Sequence, residues 1–147
     1  MNRSSDQVRL SFHYAREEAG LLGHNTIGPE HLLLGLMRYN NEASQTIIKF
    51  GSSLDKLRTR IETELGIGKG LRRDEPANIS PGARQAMILA GQEQLALGDD
   101  LLDCKHLLLG IIKQENGLAY EILHELSPDL NNLIVQLQHS NDQNQAQ

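Results

Sequence analysis

Two histidines raise the first chemical question. His31 and His106 each open the string His-Leu-Leu-Leu-Gly, 75 positions apart, and Cys104 stands two residues before the second. Imidazole and thiolate are metal ligands, and a cysteine with a histidine in reach can also make a nucleophile. Neither chemistry closes here. Cys104 and His106 are too near on one helix for both side chains to face a single ion, and no further cysteine or carboxylate cluster completes a tetrahedral set. No base and orienting group are placed to activate Cys104. The histidines read as structural hydrogen-bonding residues, and no metal or cofactor is expected. A phosphate loop would need Gly-x-x-x-x-Gly-Lys followed by Ser or Thr. The nearest string, Gly66-Ile67-Gly68-Lys69-Gly70, lacks that spacing and the hydroxyl, so no ATP hydrolysis is expected and the chain reads as a non-enzyme.

The elements that carry these residues come twice. Sliding the sequence by 75 positions lays His31–Arg38 on His106–Lys113, Ala15–Gly23 on Ala90–Gly98, Ser5 on Ser80 and Arg9 on Arg84. After a one-residue shift, Leu54, Leu57 and Ile61 meet Leu130, Leu133 and Leu137. Such self-similarity marks a tandem duplication. Each half reads as four helices. In the first, Ser5 caps a helix with Val8, Phe12, Ala15, Ala19 and Leu22 on one stripe and Gly23 as its stop. Gly28-Pro29 opens a second carrying Leu32, Leu33, Leu36 and Met37 inward. A third runs from Glu42 to Phe50, and Ser53 caps a fourth that buries Leu54, Leu57, Ile61 and Leu65. In the second half Ser80-Pro81, Asp103 and Ser127-Pro128 mark starts. Gly35 and Gly110, at the ends of the leucine runs, let helices approach closely. Glu17, Glu18 and Glu93 are expected on exposed faces.

The expected fold is all-α: two four-helix motifs, residues 1–65 and 79–139, packed as one pseudo-twofold domain. A glycine- and charge-rich linker spans 66–78, and a polar, disordered tail spans 140–147. With 147 residues, 39% hydrophobic and 22% charged, the chain has enough for one core. No apolar run approaches the ~18 residues of a membrane span and no leader opens the chain, so a cytoplasmic protein is expected. A single cysteine fits a reducing compartment. A net charge of −5 and 3% aromatic residues argue against nucleic-acid binding. Because each repeat can bury its apolar face on the other, a monomer is expected.

The strings Glu17-Glu18-Ala19, Leu22-Gly23-His24-Asn25 and Ile27-Gly28-Pro29-Glu30-His31-Leu32-Leu33-Leu34-Gly35-Leu36 resemble the double Clp N-terminal repeat. That repeat begins the ClpA and ClpC class of AAA+ protein unfoldases, and the resemblance covers the chain to about residue 139. It implies a non-catalytic module that docks adaptors or substrate proteins for the ATPase, in the cytoplasm or, in a plant, the plastid stroma. The alternative it implies is a free-standing accessory subunit that binds Clp ATPase or protease subunits and modulates assembly or client delivery.

The resemblance also implies a ligand, phosphoarginine, recognised in ClpC-like proteins by the glutamate of a Gly-Thr-Glu-His motif. Here the motif is Gly28-Pro29-Glu30-His31 in one repeat and Asp103-Cys104-Lys105-His106 in the other. Glu30 keeps the carboxylate that can meet a guanidinium in a fork. Lys105 reverses the charge and is expected not to bind. At most one such site is expected, in the first repeat. Without a ligand, Glu30 is simply an acid favoured in the first turn of a helix, and Lys105 a solvated surface residue. An aromatic residue that the family places before each first helix is replaced by Ser4 and Ile79, of which only Ile79 can act as a hydrophobic staple.

Overall fold

The computed structural model describes residues 3–68, 78–114 and 117–145. Its first repeat holds α1 (Asp6–Leu21), α2 (Pro29–Met37), α3 (Glu42–Lys49) and α4 (Leu54–Leu65). The second holds α5 (Pro81–Leu97), α6 (Cys104–Ile112), α7 (Leu118–Leu126) and α8 (Leu130–Gln145). The starts follow local chemistry: Ser5 Oγ accepts from the N–H of Val8, Ser53 Oγ from Lys56 and Ser80 Oγ from Ala83. Among the described residues, no helix is long and apolar enough to cross a membrane.

Beyond their first turns α2 and α6 are apolar on every face, and such helices belong inside. Leu32, Leu33, Leu34 and Leu36 of α2, with Leu107, Leu108, Leu109 and Ile111 of α6, are completely buried, and the two helices touch across the middle of the molecule. The other helix contacts between repeats come in matched pairs: α1 with α6 and α5 with α2, α3 with α8 and α7 with α4, α2 with α7 and α6 with α3. The duplication is a pseudo-twofold body. Gly35 and Gly110 let the long helices approach. A Cβ at Gly35 would lie 2.3 Å from the Ser11 carbonyl oxygen of α1, and one at Gly110 would lie 2.2 Å from that of Ala86 in α5.

Four two-residue strands add what the helical reading left out. β1 (Arg3–Ser4) pairs in parallel with β4 (Leu101–Leu102), and β2 (Thr26–Ile27) with β3 (Asn78–Ile79). Each pair joins one repeat to the other, stitching each first helix to the loop before its partner's second. Ser5 N–H donates to the Leu102 carbonyl and Ser80 N–H to that of Ile27, both at 2.9 Å.

Three expectations need correction. Glu18 and Glu93 are buried, at 0% and 5% exposure, rather than on open faces. Position 18 lies three residues from Ala15 and four from Leu22, inside the buried stripe. Glu18 is tolerated because Arg58 donates to both carboxylate oxygens at 2.9 Å and Arg38 adds a bond at 2.8 Å. Among the described residues Glu93 meets Lys113 alone. The last helix starts at Leu130 rather than at Ser127-Pro128, because Ser127 still closes α7, donating its N–H to the Leu123 carbonyl at 2.7 Å. α8 then continues to Gln145. Leu65, expected inside with Leu57 and Ile61, is 43% exposed, because it falls in the last turn of α4 at the edge of the packed face. Most of the linker assigned to 66–78, residues 69–77, lies outside the described residues.

Candidate functional site

Each repeat carries the same cleft, between the loop that enters its second helix and that helix's first turn. In the first repeat Gly23, His24, Asn25 and Thr26 form one wall, Glu30 and His31 the floor, and Leu65 and Gly68 the far rim, around about 510 Å³. In the second, Gly98, Asp99, Asp100 and Leu101 face Asp103, Lys105 and His106, with Glu42 alongside, around about 320 Å³. Shifting the first set by 75 positions gives most of the second.

Both floors are built on a histidine that caps its own helix. Asp103 N–H donates to His106 Nδ1 at 2.8 Å, and Gly28 N–H to His31 Nδ1 at 2.9 Å. A backbone N–H can only donate, so each Nδ1 is the acceptor and each neutral ring carries its proton on Nε2. In the first repeat that proton goes to His24 Nδ1 at 2.9 Å, and His24 Nε2–H in turn reaches the Gly66 carbonyl at 2.8 Å. The relay leaves no ring nitrogen of this pair with a lone pair for a cation. It ties α4's end to the loop, and Gly68 N–H donates to the Leu22 carbonyl at 2.7 Å beside it. Burial lowers the His31 pKa to about 4, so His31 is neutral.

The second repeat uses the same tautomer for a different end. His106 Nε2 donates to Asp99 Oδ2 at 2.7 Å, and Lys105 Nζ lies 3.3 Å from the same oxygen. Burial alone would raise the Asp99 carboxyl. The His106 hydrogen bond and the Lys105 ammonium together hold it below its ordinary value. Lys105 is 2% exposed, so it is no solvated surface residue.

Among the described residues Glu30 has no such partner. Its side chain is 16% exposed, and the nearest charged-type contact is the neutral His31 at 3.7 Å. Among the described residues no lysine or arginine lies within ion-pair distance of it. Burial pushes its carboxyl above the ordinary range, partly offset by a backbone hydrogen bond and by His24. Gly28 makes its position possible: a Cβ there would fall 2.2 Å from Glu30 Oε1. The second repeat has Asp103 at that place, and its residue 105 turns to Asp99 instead.

These paired clefts sit in a chain whose residues 3–141 match the model of the Clp repeat (R) N-terminal domain. The chain belongs to that family. It is 31% identical over 144 residues to the chaperone protein ClpB of Oceanobacillus iheyensis, and 32% identical over 144 residues to the negative regulator of genetic competence ClpC/MecB of Bacillus subtilis. Each alignment covers 95% of this chain and 18% of the relative. The chaperone protein ClpC1 of Oryza sativa chloroplasts is 34% identical over 124 residues, covering 84% of this chain and 13% of the relative. The chain thus spans under a fifth of these relatives' length. In fold it is similar to the crystal structure of the N-terminal domain of ClpD from Arabidopsis thaliana, with a TM-score of 0.75 at 17% identity, covering 92% of this chain and 94% of that one.

Within this Clp repeat pair the two residues singled out from sequence, Glu30 and Lys105, fall at equivalent points of equivalent clefts. They are not brought together; each faces its own loop. Sequence reading missed their loop partners, His24 and Asp99. The signal was present, since the same 75-residue shift that aligns Glu30 with Lys105 also aligns His24 with Asp99. Cys104 is buried in α6, its thiol pushed up to about 11 by burial, which fits no nucleophile.

Proposed function

We propose that this chain is a non-catalytic docking module of the Clp unfoldase system, taking adaptors or substrate proteins for an AAA+ ATPase through its first-repeat cleft. One observation carries the reading: a largely buried carboxylate, Glu30, lines an open cleft with no lysine or arginine partner among the described residues. A buried carboxylate without a counter-ion is costly, and a guanidinium supplies the missing charge in a fork. An arginine-phosphorylated client offers that guanidinium, and the Asn25 side-chain amide on the cleft wall, whose oxygen accepts from the Thr26 hydroxyl at 3.3 Å, offers a donor to its phosphoryl oxygens. Lys105 occupies the second cleft with its own ion pair, which supports a single site.

Titration with free phosphoarginine tests this. Backbone amide shifts are expected to move at residues 24–31 and to stay still at residues 99–106. Equal movement in both clefts, or none in either, overturns it. A chain carrying Glu30→Gln should show no saturable shift.

A further inference from the structure

The first-repeat cleft has an apolar rim with a fixed backbone. Leu65, at its edge, is 43% exposed, and Ile67, two residues on, is 69% exposed. The backbone around them is pinned: His24 holds the Gly66 carbonyl, and Gly68 N–H holds the Leu22 carbonyl. A Cβ at Gly68 would lie 2.0 Å from the Gly23 carbonyl oxygen, so this segment lies flat on the loop. Two aliphatic side chains are therefore presented to solvent by a stretch of chain that is itself held in place. The offset that sets Ile61 on Leu137 sets Leu65 on Asn141 and Ile67 on Gln143. The aliphatic rim and a carboxylate with no lysine or arginine partner among the described residues occur in the same repeat, and the sequence of the other repeat carries neither at the equivalent positions.

We propose that this cleft reads two neighbouring features of an extended peptide, a guanidinium held by Glu30 and an aliphatic side chain laid on Leu65 and Ile67. The inference rests on the docking function proposed above and adds a sequence preference to it. Charge fixes the occupant: an aliphatic segment alone would bring no cation to Glu30, and a lone arginine would leave the rim wet. At about 510 Å³ the cleft lies within the ~300–1,000 Å³ of ordinary ligand sites, more than one small group needs.

The test uses two fluorescent hexapeptides with one arginine each, flanked on both sides by leucine or by serine, in plain and phosphoarginine forms. The leucine-flanked peptide is expected to bind roughly tenfold more tightly, about 1.4 kcal/mol. In Leu65→Ser and Ile67→Ser chains, which change exposed residues and should fold, that preference should shrink to about twofold or less. The serine-flanked peptide should lose less affinity than the leucine-flanked one. Equal affinity for both peptides, with both lost in Glu30→Gln, overturns the rim and leaves docking at Glu30 standing. Binding that ignores Glu30→Gln, or no binding at all, overturns the docking itself. Self-association of the chain that is abolished by Leu65→Ser, without peptide preference, assigns the rim to a second copy and overturns the inference.

Discussion

The two clefts hold the same backbone and the same histidine tautomer, with the charge reversed at one equivalent position, Glu30 against Lys105. Repeat one sets His24 against Glu30; repeat two sets Asp99 against Lys105. Swapping which position carries the carboxylate changes what the cleft can do. Asp99 sits on the loop, where the His106 and Lys105 side chains both reach it, and the site is satisfied from within. Glu30 sits on the helix, where its loop partner His24 already spends both nitrogens on His31 and Gly66. Among the described residues the duplicated scaffold thus holds one closed electrostatic circuit and one open one.

The largest expected effect comes from breaking the closed circuit. Lys105→Glu sets a carboxylate beside Asp99 in a buried place, and loss of a buried ion-pair partner costs about 3–5 kcal/mol. Urea unfolding should show it as a lower midpoint at unchanged slope. Adding Asp99→His and Asp103→Gly rebuilds the first-repeat set, and this triple variant should recover much of that stability and gain phosphoarginine-induced shifts around residue 105. Recovery without new shifts would mean that the open carboxylate is insufficient for binding.

A second pair of equivalent residues differs in the same sense. Glu18 is completely buried under Arg58 and Arg38, whereas Glu93 meets Lys113, whose side chain is 48% exposed. Glu18→Gln leaves two guanidinium groups facing a neutral amide and should cost about 3 kcal/mol. Glu93→Gln lets Lys113 turn to water and should cost about 1 kcal/mol or less. Equal costs in urea unfolding would erase the distinction.

How much of this could be read from sequence follows from the range of each signal. Helix starts rest on one residue and its neighbours, so Ser5, Ser53 and Ser80 announced three of them. The close approach at Gly35 and Gly110 was readable because the leucine runs around them leave no other role. The two-residue strands were not: they are too short for a period, and Arg3 meets its partner at Leu101. Glu18 was misplaced because a charged residue was assigned to the outside, and its guanidinium partners lie 20 and 40 residues away. The candidate site was half legible. Glu30 and Lys105 stood out as departures from a pattern, but the cleft's far rim comes from the end of α4, and only folding brings Leu65 near Glu30.

The smallest effect is the most discriminating, because it changes sign between the clefts. Burial holds the Glu30 carboxyl above its ordinary value, so the folded state disfavours its ionised form. Stability is then full in acid, where the group is protonated folded or unfolded, and falls as pH rises through the interval between the ordinary and the raised value. Glu30→Gln should therefore be more stable than the parent chain at pH 7, by roughly 0.5–2 kcal/mol, and lose that advantage at low pH. Asp99 is held low by His106 and Lys105, so its contribution is present at neutral pH and fades as pH falls through its depressed range. Asp99→Asn should be less stable at pH 7, with the deficit closing in acid. Urea midpoints measured from pH 7 downwards should thus converge on the parent from above for one variant and from below for the other. If both converge from below, Glu30 is already paired within the chain, and the cleft has no charge left to offer a ligand.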